Sequence, residues 1–446
     1  MPHLHPFLRL IYLFLRVLAW LTGHLFYRQR LVLGRSHLQG FHGPAIVVVN
    51  HPSTLMDVLN VGVPIPTEMF FLANYGLFKH PVSNWILSRL FCIPIKRKED
   101  VRAGETRDNN SAFEQSFRHL EKEGILYIAP EGYSWMNRWV REFKTGTARI
   151  AFGSESRNNW QLGLSIYPVG LTYSAPNLFR SEVVINYGEP LVVSEWSTVW
   201  QQNGEAAIDQ LTAELQQRVT ALTVHTRDEV GEAFTARLEE MLANEHPLSP
   251  TATFQRSQKL ANEQIDNEVL RLQITEYYAA LQATHLSDQG VQKATQHQGG
   301  TTMLAAFFLT LGFPLFVVGY AFWWLPLFLP WLLPKTLKLY VGYDSTLKTV
   351  TGLITIPLWL WAVYSVVHHF SGNSGLAWLV LIGFVALAFF IERYMDVFQR
   401  FREKMKALAF AQQQPAEWSD LVAKRRQILN GLGFNKLINH NVSNIN

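Results

Sequence analysis

The sequence predicts an α/β domain, a mainly parallel sheet flanked by helices, followed by a helical appendage and C-terminal transmembrane helices. Three observations carry that expectation. Short apolar runs at 45–49, 91–95 and 125–128 alternate with helix-patterned stretches, as in strands joined by crossover helices. Hydrophobic residues make up 48% of the 446-residue chain, but the first thirty residues and 302–392 are very apolar whereas 200–300 is polar. Within the second apolar block, 350–367 and 376–391 each have about the length of a membrane span. The expected divisions are an N-terminal interfacial or membrane helix at 1–27 and an α/β domain at 28–195. A polar helical segment at 196–301, a membrane region at 302–392 and a basic tail at 393–446 follow.

Composition narrows the partners. The net charge is +4 and the pI is about 9.0, which suits an anionic membrane surface or phosphorylated substrates. No basic stripe is interleaved with aromatics, so nucleic acid is not expected. Cys92 is the single cysteine, so no intrachain disulfide and no cysteine-based zinc site can form, and no metal is expected.

In the N-terminal segment, Arg9 and Arg16 interrupt an apolar run and share one helical face, with His5 a turn further back. Phe7, Leu10, Phe14, Leu18 and Leu21 form the opposite arc, the pattern of a helix lying in the membrane interface. No small-x-small cleavage site follows, against a signal peptide. A tilted span with snorkelling arginines stays open.

From residue 28 the reading is more detailed. Residues 34–43 form a strand or turn leading into the buried strand 45–49. Asn50-His51-Pro52 ends that strand, and a helix carrying Asp57 begins, capped by Ser53 or Thr54. Further strands are expected at 68–72, 91–95, 125–128, 164–169 and 182–187. Helices are expected at 81–90 and 111–123, the second closed by Gly124.

Polar residues fall directly after these strands. His51 lies at the lip of the first, with Asp57 six residues on. A carboxylate there can hold one ring nitrogen and leave the other as a base. Lys96-Arg97 and Glu131-Gly132 follow two further strands. Alone, the charge run 96–100 reads as a solvated face and Glu131-Gly132 as a turn. Ligands in open α/β sheets sit outside the carboxyl ends of strands, so the three groups are expected to converge. Lys144, Thr145, Gly146 and Arg149 form a basic helix start suited to phosphate.

Taken together, these blocks resemble the phospholipid/glycerol acyltransferase family, which includes glycerol-3-phosphate and lysophosphatidate acyltransferases. Asn50-His51-Pro-Ser-Thr-Leu-Met-Asp57 is similar to its first block, with one residue more between His and Asp than is common. That spacing resembles the branch of the fungal glycerol-3-phosphate/dihydroxyacetone-phosphate enzymes. Ile93-Pro-Ile-Lys-Arg97 resembles the second block, Ala129-Pro-Glu131-Gly132 the third, and Ile166-Tyr-Pro168-Val-Gly170 the fourth. Residues 144–149 resemble the Lys-Thr-Gly-x-Ala-Arg segment of that branch. Tyr133-Ser134 and Trp135 depart from the family patterns.

The resemblance implies a glycerolipid acyltransferase fold and acyl transfer from a thioester to a hydroxyl. His51 and Asp57 would be catalytic, and Arg97, Glu131, Gly132, Lys144, Arg149 and Pro168 would line the substrate site. The partners implied are acyl-CoA or acyl-carrier protein as donor, a glycerol phosphate acceptor and membrane lipids, with no cofactor. A catalytically silent, lipid-binding scaffold of the same fold is the alternative.

Beyond residue 195, helix patterns at 204–242 and 254–284 are broken at 246–250, and 292–301 reads as a linker. The two spans at 350–367 and 376–391 form a hairpin. Basic residues from Arg393 onward put the tail in the cytoplasm. Lys335–Lys348 then lies on that side too, and 303–333, short for two spans, is expected to be a re-entrant hairpin. The catalytic domain would face the cytoplasm.

Overall fold

The computed structural model describes residues 6–88, 91–97, 109–262, 268–296 and 299–432. His5, Lys98, Asp100 and the last fourteen residues of the expected tail lie outside them. The chain divides into two compact units: Met1–Arg227 with Pro334–Thr349, and Asp228–Leu333 with Val350–Asn446.

The first unit opens with α1 (Pro6–Phe26). Its arginines face the rest of the unit: Arg9, itself exposed, pairs with Glu68 at 3.1 Å, and Arg16 donates to the Val63 carbonyl at 3.0 and 3.2 Å. Phe7, Leu10, Phe14, Val17 and Leu21 are exposed on the other side. Next comes β1 (Gln29–Leu33), a strand that the sequence pattern does not announce. It is an edge strand, only half-buried along its length, so it carries Gln and Arg where a central strand would be apolar.

The sheet continues through β2 (Ala45–Val49), α2 (Leu55–Gly62), β3 (Met69–Asn74), α3 (Pro81–Leu87) and β4 (Cys92–Ile95). Then follow α4 (Asn110–Leu120), β5 (Ile125–Ile128), α5 (Gly146–Arg157), β6 (Ser165–Tyr173), β7 (Glu182–Tyr187) and the two-residue β8 (Leu191–Val192). The strand order is β1-β7-β6-β2-β5-β3-β4, with β8 on β6. From β6 to β4 every neighbour is parallel, while β7 and β8 run antiparallel to β6. The expected mainly parallel α/β sheet is therefore present.

Both faces of the sheet are covered. Ile46 and Val48 join one core with Leu126, Ile128, Ile166 and residues of α4, α5 and α7 (Gly204–Ala221). Val47 and Val49 join another with Tyr127, Val169 and Met56 and Val61 of α2. Burial on both sides explains why β2 reads as an unbroken apolar run. Each such Val or Ile contributes about 1.5–3 kcal/mol over leaving it in water.

Gly124 differs from its expected role. The left-handed residue after α4 is Glu123, at φ +60°. Gly124 is needed for close approach, because a Cβ there would lie 2.4 Å from His119, whose carbonyl accepts the Gly124 amide.

After α6 (Ser197–Gln202) and α7, the second unit contains α8 (Glu229–Glu245), α9 (Pro250–Asn262), α10 (Glu268–Ala283) and α11 (Asp288–Thr295). The helix expected across 204–242 is thus two, and the expected linker at 292–301 begins inside α11. Leu270, Ile274, Tyr277 and Leu281 of α10 are buried with Leu238 and Met241 of α8.

In the membrane region, the stretch expected to be re-entrant is helical throughout. α12 (Gly299–Leu337) is one 39-residue helix running through Pro314, Pro326 and Pro330. α13 (Asp344–Ser371) and α14 (Ser374–Gln413) follow. Proline removes a helical donor, but α12 is supported laterally by α14. The Trp323 indole donates to the Phe384 carbonyl at 2.9 Å, Phe322 and Phe384 stack at 3.6 Å, and Tyr394 donates to the Leu309 carbonyl at 3.0 Å. α13 and α14 still form the expected hairpin between Lys335–Lys348 and the tail, so the inference that the two share a side does not depend on α12.

The tail is also more ordered than its charge implies, because α14 continues to Gln413 and α15 (Pro415–Gly431) packs into the core of α8 and α10. Arg425 in α15 is buried. Its guanidinium donates to Asp288 at 2.8 Å and to Glu245 at 2.7 Å, and Tyr277 donates to the same Asp288 oxygen at 2.9 Å. Arg425→Met would leave Asp288 as an uncompensated buried charge. It should destabilise this unit by about 3–5 kcal/mol, read as a lowered unfolding temperature in detergent, and adding Asp288→Asn should recover part of the loss.

Candidate active site

The site begins where β2 stops. Asn50 closes the strand by pairing both amide atoms with the backbone of Leu171 in β6, at 2.7 and 2.9 Å. The next residue, His51, turns its Nδ1 to Asp57 Oδ2 at 2.8 Å. Asp57 is wholly buried and its charge is met by three groups. Oδ2 also accepts the Ser53 amide at 2.7 Å, and Oδ1 accepts the Tyr173 hydroxyl at 2.7 Å. The Tyr173 oxygen in turn accepts from Asn60 at 3.2 Å. The His51 side chain is 17% exposed, so its ring is reachable while its partner is not.

The hydroxyl cap expected for α2 does not form. Thr54 occupies the cap position at φ 46° without a side-chain capping bond, because the Ser53 and Thr54 hydroxyls are engaged elsewhere. Ser53 Oγ meets the Pro176 carbonyl at 3.1 Å and Ser345 Oγ at 3.0 Å. Thr54 Oγ1 meets the Gly342 carbonyl at 3.2 Å and Thr346 Oγ1 at 2.8 Å. Asp57 instead accepts the Ser53 amide, one residue before the cap position.

Because β5 is the neighbour of β2, Glu131 reaches the same place. Its Oε1 accepts the His51 amide at 3.0 Å and its Oε2 the Arg141 amide at 3.3 Å. Burial is the main cause that pushes the Glu131 carboxyl up to about 7, against the pull of these two amides. Gly132, at φ +78°, leaves room for the Lys144 side chain, whose Nζ would lie 2.6 Å from a Cβ at that position.

The two cations meet over one ring. Arg97 Cζ lies 4.5 Å from the centre of the Tyr133 ring, and Lys144 Nζ lies 5.1 Å from it. Ser134 Oγ accepts the Thr54 amide at 3.2 Å, and the Trp135 amide donates to the His51 carbonyl at 3.0 Å. Arg141 lies over the indoles of Trp135 and Trp139, at 4.8 and 3.8 Å. The residues at which the chain departs from the family patterns are thus built into the walls of the site.

His51, Asp57, Glu131, Gly132, Arg97 and Lys144 are brought together. Arg149 is instead held bidentately by Glu205 at 2.7 and 3.1 Å, and Thr145 at the start of α5 makes no side-chain cap. Pro168 is buried inside β6 beside Val48, with its carbonyl accepting the Gly188 amide. It lies within the sheet, three residues before the strand level at which Leu171 pairs with Asn50.

The Acyltransferase family model matches residues 29–172, a stretch that holds His51, Asp57, Arg97, Glu131, Gly132, Arg141 and Lys144 but not Tyr173 or the 342–346 segment. The same part of the chain is 28% identical over 130 residues to glycerol-3-phosphate O-acyltransferase 2 of Saccharomyces cerevisiae, covering 29% of this chain and 17% of the yeast protein. It is 23% identical over 161 residues to a chloroplastic 1-acyl-sn-glycerol-3-phosphate acyltransferase of Arabidopsis thaliana, covering 36% of this chain and 41% of that one. The match thus spans less than half the length of these relatives. The crystal structure of the 1-acyl-sn-glycerophosphate acyltransferase from Thermotoga maritima aligns at 20% identity and a TM-score of 0.34, over 49% of this chain and 85% of that one.

Sequence reasoning missed Tyr173, Arg141 and the 342–346 contacts. Tyr173 ends an apolar strand and reads as core, and residues 342–346 are about 290 positions from their partners; neither carries a local signal. Arg141 sat in view, but its packing between two tryptophans is visible only once the loop is folded.

Glu131 offers a test by pH. Its carboxyl titrates at 4.5 when unfolded and at about 7 in the fold. Between those values the folded protein keeps a proton that the unfolded chain has released, so stability falls as pH rises, by on the order of 3 kcal/mol in all. Denaturant unfolding across pH 4.5–7.5 should show that fall in the wild type, and Glu131→Gln should flatten it.

Proposed function

We propose that this protein moves a fatty acyl group from a thioester donor, acyl-CoA or acyl-carrier protein, to a hydroxyl of a glycerol phosphate acceptor. The acceptor is glycerol 3-phosphate or its 1-acyl ester. The observation that carries this reading is the buried, three-donor Asp57 against Nδ1 of a reachable His51, beside the Arg97 and Lys144 cations. The match of residues 29–172 to the Acyltransferase family model supports the reaction class.

An alcohol is a weak nucleophile at neutral pH. With Nδ1–H donated to Asp57, Nε2 of His51 is the acceptor that takes the hydroxyl proton as oxygen attacks the thioester carbonyl. The C–O bond forms, the C–S bond breaks, and the imidazolium returns the proton to the departing thiolate. Asp57 holds the tautomer and balances the positive charge of the intermediate state. Arg97 gives a planar, bidentate match to the acceptor phosphate, with Lys144 as a second cation. Glu131 ties the His51 and Arg141 backbones together and so holds the loops on either side.

The longer His–Asp spacing and the Tyr133-Ser134 pair favour glycerol 3-phosphate over its acyl ester. Among the described residues, four helices, α1, α12, α13 with the short turn before it, and α14, are long and apolar enough to cross a membrane. The outward apolar face of α1 fits a helix lying in the interface. A membrane-bound enzyme with its catalytic domain on the cytoplasmic side is the corresponding reading.

The test uses purified full-length protein, one thioester donor, and a panel of glycerol 3-phosphate, dihydroxyacetone phosphate and lysophospholipids. His51→Ala should lower turnover by about 10²–10⁴-fold. Wild-type activity in that variant, or no donor-dependent transfer by the wild type, would leave the silent lipid-binding scaffold as the reading. Arg97→Ala should raise the acceptor KM by about 10–100-fold, the loss of charge-assisted hydrogen bonds to the phosphate, with the donor KM little changed.

A further inference from the structure

Between His51 and α2, the residues Ser53 and Thr54 are gripped by a segment almost three hundred positions away. Four contacts are made at this turn and just beyond it. Ser345 Oγ, wholly buried, meets Ser53 Oγ at 3.0 Å. Thr346 Oγ1 and the Gly342 carbonyl meet Thr54 Oγ1 at 2.8 and 3.2 Å. Thr349 Oγ1 meets Met56 Sδ at 3.4 Å. Lys348 extends the attachment by donating to the Asn177 carbonyl at 2.8 Å, one residue past the carbonyl that accepts Ser53. Residues 334–349 belong to the first compact unit, so these contacts lie within the acyltransferase unit.

The gripped turn is the one that sets the His51–Asp57 geometry. Ser53 gives its amide to the same Asp57 oxygen that holds His51, and Thr54 sits at φ 46°, a left-handed backbone that a β-branched residue seldom adopts unaided. Helix capping by these hydroxyls would be the local alternative, and it is absent. The external hydroxyl partners therefore hold the turn in a conformation that its own sequence does not favour.

We propose that Gly342–Thr349 is a positioning strap for the His51–Asp57 pair, and that Ser345 and Thr346 are positioning residues for acyl transfer. The inference rests on the proposed role of His51 as the base. The strap comprises the end of the short turn before α13 and the first six residues of α13, which continues as an apolar helix to Ser371. The orientation of the base is thereby covalently linked to a candidate membrane span, and the acyltransferase domain is completed by a segment outside the matched residues 29–172.

The experiment compares full-length wild type with Ser345→Ala, Thr346→Val and the double variant, and with Ser345→Thr and Thr346→Ser, which keep a hydroxyl. The double variant should lose about 10–100-fold in kcat, the scale of a misplaced catalytic group, with both KM values within about twofold and an unchanged unfolding temperature. The hydroxyl-keeping variants should retain most of the activity. Unchanged kcat in the double variant, or a loss shared equally by the hydroxyl-keeping variants or accompanied by a lowered unfolding temperature, overturns the proposal. His51→Ala, measured alongside, separates the two readings. If it is inactive while the double variant is not, only the strap fails; if it is active, the base assignment fails as well.

Discussion

A buried carboxylate governs the architecture of the site. Asp57 has no contact with water, and an ionised group in that position costs several kcal/mol unless its oxygens are met by donors. The fold supplies them from three directions: the ring of His51, the amide of Ser53 and the hydroxyl of Tyr173. Each donor sits on a different piece of the first unit. The end of β2, the turn into α2 and the end of β6 must therefore all be in place for the oxygens of Asp57 to be met, and Asp57 in turn draws those pieces into register. Asn50 fastens the same two strands with its paired amide, one residue before the chemistry begins.

A second constraint is the parallel neighbourhood of β2 and β5. It sends two chain segments out of the sheet side by side, which is why Glu131 can accept the amide of His51 although 80 residues separate them. The loop after β5 then returns over the site with Tyr133, Ser134 and Trp135 each touching a different functional element. Arg97 and Lys144, which would repel in the open, share the Tyr133 ring, whose π system attracts each of them.

The sheet was legible in the sequence wherever a strand is covered on both sides, since β2 and β5 are continuous apolar runs with their ends marked by Pro, Gly or a charge. It was illegible at β1, whose half-buried edge position removes the apolar signal, and at the true length of β6. In the site, the polar residues after central strands stood out against apolar surroundings, so His51, Asp57, Arg97 and Glu131 were visible as a set. Arg149 carried the same signal and is bound instead to Glu205, because charge alone does not say which way a surface side chain turns. Pro168 marked a strand, not a pocket. The prolines of α12 suggested a bend, yet ring stacking and a single indole hydrogen bond to α14 accompany an unbroken helix.

The length of α14 has a geometrical outcome of its own. At 40 residues and 1.5 Å per residue it measures about 60 Å, whereas the oily layer of a bilayer is about 30 Å deep. A helix that crosses such a layer at Leu376–Ile391 leaves its remaining turns standing in water like a mast. At Glu403 on those turns, the Ser287 hydroxyl is bound at 3.0 Å just before α11 begins. With such a crossing, the polar helices α8, α10, α11 and α15 would be moored at a set height above the lipid, a height written in the number of residues between Ile391 and Glu403.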